Sequence, residues 1–393
     1  MASNLTPTLR VGMVGYAFMG AMHSHAWRTA PRFFDLPLHP ELTVLAGRDA
    51  AAVKSAADRM GWQDTATDWR SLVERDDIDL IDICTPGDTH AEIAVAALEA
   101  GKHVLCEKPL ANSVEEAERM AAAARAAAEQ GVFAMCGFSY RRTPALTLAR
   151  RLVEQGRLGD IRHIRAQYLQ DWLSDANAPM TWRLDRTRSG SGALGDIGAH
   201  SIDAAQFVTG LEISGVSALL TTFVHERPLS GTRVGLGGSG AGDGGTGQVT
   251  VDDAAIFSAR FDGGAVGVFE ATRFALGRKN SMRLEVNGTL GSLAFDFENM
   301  NSLEFYDGTV SSETAGFSTI NVTEPAHPYT GNWWPAGHGL GYEHGFTHQV
   351  VDLVQAIADG TTPSPSFDEA LRVQKVLRAV EQSASADSGW QHV

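Results

Sequence analysis

Two short segments carry residues that could move a proton and stabilise a negative charge. The apolar run 104–106 ends in the tripeptide E-K-P at 107–109, whose lysine is Lys108. Burying an unpaired ammonium is costly, so we expect Lys108 to point into a cleft, where it could polarise a substrate oxygen. Further along, Asp196 and His200 are four residues apart and therefore share one face of a helix. A carboxylate one turn from an imidazole can fix its tautomer and raise its basicity, which suits a base that removes a hydroxyl proton.

Structural explanations compete with this chemistry. A lysine at a strand end can lie along the surface with its ammonium in water, and a histidine near an aspartate can be a satisfied core residue. Asp196, His200 and Asp203 could also form a metal site, but no further ligand cluster has matching spacing, so we expect no metal. His344 and His348 are four apart as well, without the glutamate that a metalloprotease helix places between its histidines. We expect that pair to pack or to line a cleft.

The first strand-like run is followed by a glycine turn typical of dinucleotide-binding domains. Gly15, Ala17 and Gly20 have the G-x-G-x-x-G spacing, with alanine in place of the second glycine. The first glycine permits a tight turn, the third lets the helix pack closely, and the helix N-terminus attracts the pyrophosphate. Because the turn opens the first unit of a parallel strand and helix alternation, we predict that it binds NAD or NADP.

The residues after the second strand-like run bear on the choice between these two cofactors. An acidic residue there usually holds the ribose diol of NAD, whereas an arginine accommodates the 2′-phosphate of NADP. This chain has Gly47, Arg48 and Asp49. The missing carboxylate and the added cation slightly favour NADP, although Asp49 could still reach a ribose hydroxyl. Alternatively, Arg48 is a solvated loop residue and Asp49 the N-cap of the next helix.

Two patterns of hydrophobicity divide the chain. Over residues 9–139, short β-type runs alternate with amphipathic helices, which predicts a doubly wound parallel sheet with helices on both faces. From residue 161 the strands follow one another with turn signals between them, which predicts a mostly antiparallel sheet. We therefore predict an α/β protein with a first domain at 1–139 and a second, α+β domain at 140–393. The neighbouring strand end at Thr85 and Pro86 is expected to face the same cleft as Lys108.

Apolar spacing places helices inside and after the second sheet, at about 192–209, 342–359 and 367–384. The glycine-rich stretch 231–247 lacks the preceding strand and following helix of a phosphate loop. We predict that it is a flexible surface loop.

Composition and charge exclude several functional classes. The 393 residues are 44% hydrophobic and 20% charged, as expected for a soluble protein of about two domains. Lys and Arg number 32 against 47 Asp and Glu, and the net charge of −15 argues against nucleic acid and acidic membrane partners. The chain shows neither a membrane-length apolar run nor a leader-like N-terminus, so we expect a cytoplasmic protein. We expect the 3 cysteines to be reduced core residues.

Residues suited to binding a polyol precede the helix of Asp196. Sugars bind to aromatic faces and to side chains that offer two donors or two acceptors. The candidates are Tyr168, Asp171, Trp172, Trp182 and Arg183, and a further aromatic set lies at 329–338. An aromatic residue taken singly is more often part of the core. Among these candidates we favour Trp172 and Arg183.

Together these motifs resemble the Gfo/Idh/MocA oxidoreductases, named for glucose-fructose oxidoreductase and inositol dehydrogenase. The segments VGMVGYAFMGAMH, CTPGDTH, GKHVLCEKPLA, GFSYRRTPA and GSGALGDIGAHSID follow the family's order and span nearly the whole chain. The resemblance implies an N-terminal Rossmann domain, followed by an α+β domain with a large open, mostly antiparallel sheet. It also implies a homodimer or homotetramer formed through that sheet.

The motifs and the resemblance give three sets of expected site residues. The catalytic set is Lys108, Asp196 and His200. The cofactor-binding set is Gly15, Ala17, Phe18, Met19, Gly20, Arg48, Asp49, Thr85, Pro86, His90, Glu107 and Lys108. The substrate-binding set is Tyr140, Arg141, Trp172, Arg183, Asp196 and His200. Family members oxidise a secondary alcohol of a sugar or cyclitol or reduce the ketone, so we expect an NAD(P)-dependent dehydrogenase acting on a sugar, anhydrosugar or cyclitol.

Two other functions fit the same architecture. Some relatives hold NAD tightly, oxidise a glycoside transiently, cleave it by elimination and reduce it again, with net hydrolysis. A non-catalytic sensor that binds the cofactor is the second alternative, because a fold alone does not fix function. The intact set of Lys108, Asp196 and His200 argues against a sensor.

Overall fold

The computed structural model describes residues 6–234 and 237–393, and only the backbone at 232–234, 237–239 and 241–243. The chain forms two compact units. The first comprises the chain through Arg142, together with Asn332–Trp334 and Leu340–Arg372. The second comprises Thr143–Gly331, Pro335–Gly339 and Val373–Val393.

The strands are numbered in chain order. They are β1 Thr8–Val14, β2 His39–Ala46, β3 Asp64–Ala66, β4 Leu80–Ile83, β5 His103–Cys106, β6 Ala134–Cys136, β7 Ile161–Leu169, β8 Ile213–Thr221, β9 Glu226–Val234, β10 Gly237–Gln248, β11 Ala254–Phe261, β12 Val266–Thr272, β13 Ser281–Gly288, β14 Gly291–Asp296, β15 Ser302–Asp307, β16 Ser318–Asn321 and β17 Gln391–His392.

The α-helices are α1 Phe18–Phe33, α2 Ala50–Met60, α3 Arg70–Val73, α4 His90–Glu99, α5 Val114–Ala128, α6 Pro144–Glu154, α7 Arg186–Ser189, α8 Ala199–Thr209, α9 Tyr342–Asp359 and α10 Phe367–Ser385. A π-helix, Leu194–Gly198, leads directly into α8. In the described part of the chain, none of the helices combines the length and the apolar character needed to cross a membrane.

The first unit is built on a parallel sheet of six strands in the order β3-β2-β1-β4-β5-β6. Its central strands β4 and β5 are mostly apolar and contain almost only buried residues, as strands covered on both faces require. The strand order reverses between β1 and β4, where the carboxyl ends of the strands form the crevice that binds ligands in doubly wound sheets. Helix α9 packs against α1 in this unit.

The second unit contains a nine-stranded sheet in the order β16-β15-β14-β13-β7-β12-β11-β8-β17. Only β7 and β12 are parallel to each other, and all other neighbours are antiparallel. Helices α6 and α8 pack together and contact strands β7, β13, β14 and β15. The other face of the sheet is open, since exposed side chains alternate with buried ones along β11 and β12. This arrangement confirms the predicted fold class.

Several local predictions can be compared with the structure. The helices predicted at 342–359 and 367–384 are α9 and α10. The boundary between domains at residue 139 stays a prediction. It assigned the segment Leu340–Arg372 to the second domain, whereas this segment lies in the first compact unit.

The prediction of a flexible loop at 231–247 is wrong for its described residues. Strands β9 and β10 form a separate antiparallel ribbon there, paired from Val234 to Ser230 and again from Pro228 to Glu226, with an irregularity between Ala241 and Thr246. Residues 235 and 236 lie outside the described part of the chain. Low side-chain content suggested a loop, but backbone hydrogen bonds between two chain segments hold a ribbon together without side chains.

Candidate active site

The turn between β1 and α1 has the geometry of a dinucleotide-binding loop. Gly15 has a φ of +103°, and a Cβ at this position would lie 2.7 Å from the carbonyl oxygen of Cys84. A Cβ on Gly20 would overlap the carbonyl oxygen of Gly15. Ala17 is the N-cap of α1, where no side chain caps the helix and no acidic residue lies in the first turn. The first N–H groups of α1 are therefore suited to an external anion.

The two residues between Ala17 and Gly20 have different surroundings. Phe18 is 54% exposed at the start of α1, whereas Met19 packs against the hydrophobic core of the first unit. Phe18 is therefore the one of the two whose side chain can cover a bound ligand.

The end of β2 shows why glycine stands at position 47. A Cβ on Gly47 would overlap the ring of Tyr16, so that no carboxylate could occupy this position without moving the tyrosine. Arg48 is exposed. Asp49 is the N-cap of α2, and its carboxylate accepts hydrogen bonds from the backbone N–H groups of Ala51 and Ala52, at 3.0 and 2.9 Å.

The loops after β4 and β5 are tied together by His90. Its Nδ1 lies 3.0 Å from the carbonyl oxygen of Pro109, and its Nε2 lies 2.9 Å from that of Thr85. The ring is 1% exposed, so we interpret His90 as a tether between the two loops. Pro86 precedes a short 3-10 turn, and Lys108 is half-buried at the end of β5.

Sequence reasoning missed a buried network that includes Glu107, the residue before Lys108. The ring of His23, on α1, lies between the carboxylates of Asp82 on β4 and Glu107 after β5, and these three side chains are at most 6% exposed. Two signals pointed to it: a histidine three residues after Gly20, and an aspartate inside the apolar strand β4.

In the second unit, Asp196 and His200 lie on one continuous helical segment that begins as a π-helix. Asp196 belongs to the π-helix and its side chain is 28% exposed, while His200 lies in the first turn of α8 and is 7% exposed. The centroid of the His200 ring is 5.9 Å from that of Tyr168. Such π-helical turns occur frequently at functional sites, and the sequence did not indicate this one.

A buried arginine lies behind Asp196. Arg273, which follows β12 directly, is 0% exposed, and its Nη1 donates to Oδ2 of Asp196 at 3.5 Å. Its Nη2 donates to the carbonyl oxygen of Asp252 at 3.2 Å. The Asp252 carboxylate in turn accepts from the backbone N–H groups of Gly192 and Leu194, which fixes the start of the π-helix. Burial raises the pKa of Asp252, although both N–H groups donate to it.

A row of polar and aromatic side chains lies beside these residues. Tyr168 is near the end of β7, and Gln170 and Trp172 follow the strand at intervals of two residues. The indole Nε1 of Trp172 donates to Oε1 of Gln170 at 2.9 Å, and the amide of Gln170 donates to Oδ1 of Asn280 at 3.0 Å. Arg273 lies over the Trp172 ring, 5.5 Å from its centroid. The structure thus brings Trp172, Asp196 and His200 into one neighbourhood of the second unit.

Other predicted substrate residues have different surroundings. Arg141 is 5% exposed, and its Nη1 donates to Glu369 at 2.6 Å and to Ser364 at 3.1 Å within the first unit. Tyr140 is buried beside Tyr342, with ring centroids 6.4 Å apart. Arg183 lies over the ring of Trp182, 4.5 Å from its centroid.

Two further candidates from the sequence make clear contacts. Asp171 pairs with Lys279 at 2.7 Å. Trp333 packs on Phe33, with ring centroids 4.4 Å apart, and its Nε1 donates to Nε2 of His348 at 2.8 Å. Trp333 and His348 therefore pack together, in line with the packing role expected for the His344 and His348 pair.

The arrangement in each unit matches known proteins. A family model described as "Oxidoreductase family, NAD-binding Rossmann fold" matches residues 9–138, and the GFO/IDH/MocA C-terminal domain matches residues 146–294. Levoglucosan dehydrogenase of Pseudarthrobacter phenanthrenivorans is 42% identical over 383 residues, which are 97% of each chain. Within the family, this chain resembles that enzyme most in the segments YRRTPAL, YLQDW and EPAHPY and in the D-I-x-x-H helix.

Solved structures of similar proteins have the same fold. An oxidoreductase domain protein from Kribbella flavida is 63% identical with a TM-score of 0.94, over 98% of this chain and 99% of that one. A levoglucosan dehydrogenase in complex with NADH and levoglucosan is 41% identical with a TM-score of 0.91, over the same shares of 98% and 99%. The chain therefore belongs to the GFO/IDH/MocA family of oxidoreductases with an NAD-binding Rossmann fold.

Proposed function

We propose that the protein is an NAD(P)-dependent dehydrogenase that transfers a hydride between the nicotinamide and a secondary alcohol or ketone of a sugar, anhydrosugar or cyclitol. One observation carries the proposal: a fully buried arginine contacts both Asp196 and the ring of Trp172, next to His200. A pair of residues suited to proton transfer is thereby held beside an aromatic face and an amide, which suit a polyol.

The residues around β1, β4 and β5 fit the cofactor. Gly15 and Gly20 allow the close turn, and the uncapped N-terminus of α1 offers N–H donors to the pyrophosphate. We infer that Thr85, Pro86 and Glu107 line the remaining part of this site, with His90 holding the loops in place. When bound, NAD(P) supplies a hydride acceptor.

The reaction requires one proton acceptor and one group that stabilises negative charge. We infer that the imidazole of His200 takes the hydroxyl proton while the electron pair of the C–H bond leaves as hydride. The carboxylate of Asp196 stabilises the imidazolium that forms, and Arg273 holds that carboxylate in place. The ammonium of Lys108 stabilises the developing alkoxide, which lowers the barrier to hydride departure.

The substrate class follows from the side chains beside Asp196. We infer that the ring of Trp172 packs on the apolar face of a sugar ring and that Gln170 binds hydroxyl groups. The levoglucosan complex of the 41% identical relative supports an anhydrosugar as the first compound to test. Arg183 and Arg141 stay candidates, and the ion pair of Arg141 with Glu369 favours a structural role for Arg141.

For the cofactor, we infer that both NAD and NADP bind and that NADP is slightly favoured. Gly47 and the Tyr16 ring leave no carboxylate to repel a 2′-phosphate, and the exposed Arg48 adds a cation. Asp49 uses its carboxylate to cap α2. The NADH complexes of the 41% identical relative support NAD as a cofactor as well.

We also infer a homodimer or homotetramer formed through the open face of the nine-stranded sheet. Leu219 and Ile256 are direct neighbours on β8 and β11, and they are 64% and 54% exposed. Val266 and Val268, on β12, are each 47% exposed. An apolar stripe of this kind commonly marks an interface between proteins.

A spectrophotometric screen at about 340 nm, where NAD(P)H absorbs, tests the proposal. Each of NAD and NADP is combined with levoglucosan, inositols and common hexoses. We expect substrate-dependent reduction of the cofactor by at least one anhydrosugar, sugar or cyclitol. Release of aglycone from glycosides without net NAD(P)H would instead support cleavage by elimination. Cofactor binding without either reaction would support a sensor.

A further inference from the structure

The side chain of His23 connects three elements that surround the proposed cofactor site. Its Nδ1 lies 2.9 and 3.0 Å from the two carboxylate oxygens of Asp82, and its Nε2 lies 2.9 Å from Oε1 of Glu107. His23 is on α1, one turn after Gly20, whereas Asp82 is on β4 and Glu107 follows β5 directly. The network is closed to water, because His23 is 1% exposed, Asp82 0% and Glu107 5%.

The donors and acceptors around the ring favour one charge state. A neutral imidazole has one N–H donor and one acceptor nitrogen, whereas both nitrogens of His23 face carboxylate oxygens. An acceptor nitrogen aimed at an ionised carboxylate would place two lone pairs against each other inside the protein. The geometry is satisfied when both nitrogens carry a proton.

We propose that His23 is a buried imidazolium that positions Glu107, and with it the adjacent Lys108, for cofactor binding and hydride transfer. This inference rests on the proposed dehydrogenase function. His23 itself is a positioning residue, since the buried ring acts through Glu107. The chemical class of the ligand it serves is a nicotinamide dinucleotide.

The groups around the ring favour the charged form. Three of these groups are the side chains of Asp82 and Cys84 from the β4 segment and of Glu107 from the β5 segment. The fourth is the ring of Phe346 on α9, whose centroid lies 5.7 Å from that of the His23 ring. Burial is the largest single influence and opposes the charge, but the charges and hydrogen bonds of the Asp82 and Cys84 side chains together more than offset it, and the pKa of His23 is raised well above its usual value. Two carboxylates against one imidazolium leave the cluster with one net negative charge.

Two further features surround Glu107 in addition to its contact with His23. Its backbone N–H donates to the carbonyl oxygen of Ile83 at 2.9 Å. A Cβ on Gly137 would lie 2.7 Å from Oε1 of Glu107, so the carboxylate lies against bare backbone on that side. Removing the imidazolium would leave two buried carboxylates without their shared cation, and the Glu107 side chain would have to turn away.

A metal ion is the alternative occupant of this cluster. Ligand atoms of His23, Asp82 and Cys84 lie within 4.8 Å of one another. However, the indole Nε1 of Trp27 donates to Oδ2 of Asp82 at 2.7 Å, and Sγ of Cys84 donates to Oδ1 at 3.5 Å. Hydrogen-bond donors directed at the carboxylate favour protons over a cation at this position.

The first test measures the charge directly in the unmodified protein. In NMR spectra of wild-type protein labelled with ¹⁵N-histidine, we expect two strongly hydrogen-bonded N–H protons from one ring, and we expect both to persist to alkaline pH. Both signals should be absent from the spectrum of His23→Gln. A single N–H proton, showing a neutral ring, would overturn the proposal. So would a stoichiometric metal ion in the purified protein, measured by elemental analysis.

The second test measures positioning by the dissociation constants of NADH and NADPH, followed by protein fluorescence. We expect His23→Gln to raise both constants about tenfold or more, equivalent to about 1.4 kcal/mol, while circular dichroism shows a folded protein. The matched control is His25→Gln, an exposed histidine on the same helix, which should bind as the wild type does. If His23→Gln does not fold, the double variant with Asp82→Asn removes one buried negative charge together with the cation and is measured in its place.

A folded variant that binds both cofactors with wild-type affinity would refute the positioning role. These measurements need no substrate, so they test the role of His23 separately from the proposed dehydrogenase function. If the sugar screen fails while His23→Gln still weakens cofactor binding, the proposed substrate class is wrong and the role of His23 stands.

Discussion

The guanidinium of Arg273 is fully buried and donates to the carboxylate of Asp196 at 3.5 Å while lying over the ring of Trp172. Arg273 and Asp196 are 77 positions apart in the sequence. A permanent cation therefore holds the carboxylate that we assign to the catalytic set, and the same cation supports the aromatic ring that we assign to the substrate.

Replacing Arg273 by methionine should impair the reaction more than the fold. The variant removes a charge-assisted hydrogen bond to Asp196, worth about 1.5–3 kcal/mol, so we expect kcat to fall about tenfold to hundredfold. Arg273→Lys keeps the charge and should retain more activity. The control is Arg278→Met, which removes an exposed ion pair with Glu298 and should leave kcat unchanged. Equal kcat for Arg273→Met and wild type would contradict the role of Arg273.

Lys108→Ala and His200→Ala should each abolish most turnover in a folded protein. Loss of a general base costs about 10²–10⁴ in rate, and loss of a group that stabilises an oxyanion costs about 10²–10³. Turnover is measured on the best substrate from the screen, with thermal unfolding as the check on folding. Lys54→Ala, at a position 64% exposed on α2, is the control. Near-normal turnover in either variant would show that the residue has been assigned wrongly.

Arg48→Ala should change cofactor preference without changing cofactor binding in general. We expect kcat/KM with NADP to fall about tenfold, because a cation next to the 2′-phosphate is lost, and kcat/KM with NAD to stay nearly constant. The comparison requires both cofactors at one ionic strength, since the interaction is exposed to salt. An equal loss with both cofactors, or none, would show that Arg48 does not contact the phosphate.

The stability of the first unit should depend on pH through His348. This ring is 0% exposed, its Nε2 accepts from Trp333 and its Nδ1 lies 2.9 Å from the carbonyl oxygen of Arg142, so it is held in the neutral form. Burial lowers the pKa of His348 to about 3. Below pH about 6.5 the unfolded chain binds a proton that the folded state excludes until pH about 3, so stability falls as pH falls through this window.

The change is at most about 1.4 kcal/mol per pH unit from this one group. Urea unfolding between neutral pH and the acid end of this window measures it, and His348→Gln should show a shallower decline. Other titrating groups are common to both proteins and cancel in the comparison. Identical pH dependence in the two proteins would show that the folded state tolerates a charged His348.

The local elements were predictable because neighbouring residues determine them. The turn from Gly15 to Gly20 depends on a positive φ and on close backbone approach, which only glycine allows, and both appear as fixed spacings. Ser113 caps α5 and accepts from the N–H of Glu116, as the spacing of a serine and a glutamate three residues later indicates. The same spacing at Thr89 and Glu92 gives no cap, because the Thr89 hydroxyl lies within hydrogen-bond distance of the Thr85 hydroxyl and the carbonyl oxygen of Pro86 and does not accept from the helix.

By itself, the sequence determined the two kinds of sheet, the dinucleotide turn and the spacing of Asp196 and His200, because periodicity and short motifs act over a few residues. Only the tertiary structure decided which distant side chains share a buried charge. His23 and Glu107 are 84 residues apart, so their contact could not be predicted from spacing. The same holds for the packing of the Tyr16 ring over Gly47. The physical reason is that these contacts depend on how strands and helices pack in three dimensions, and a buried charge is stable only where that packing supplies its partners.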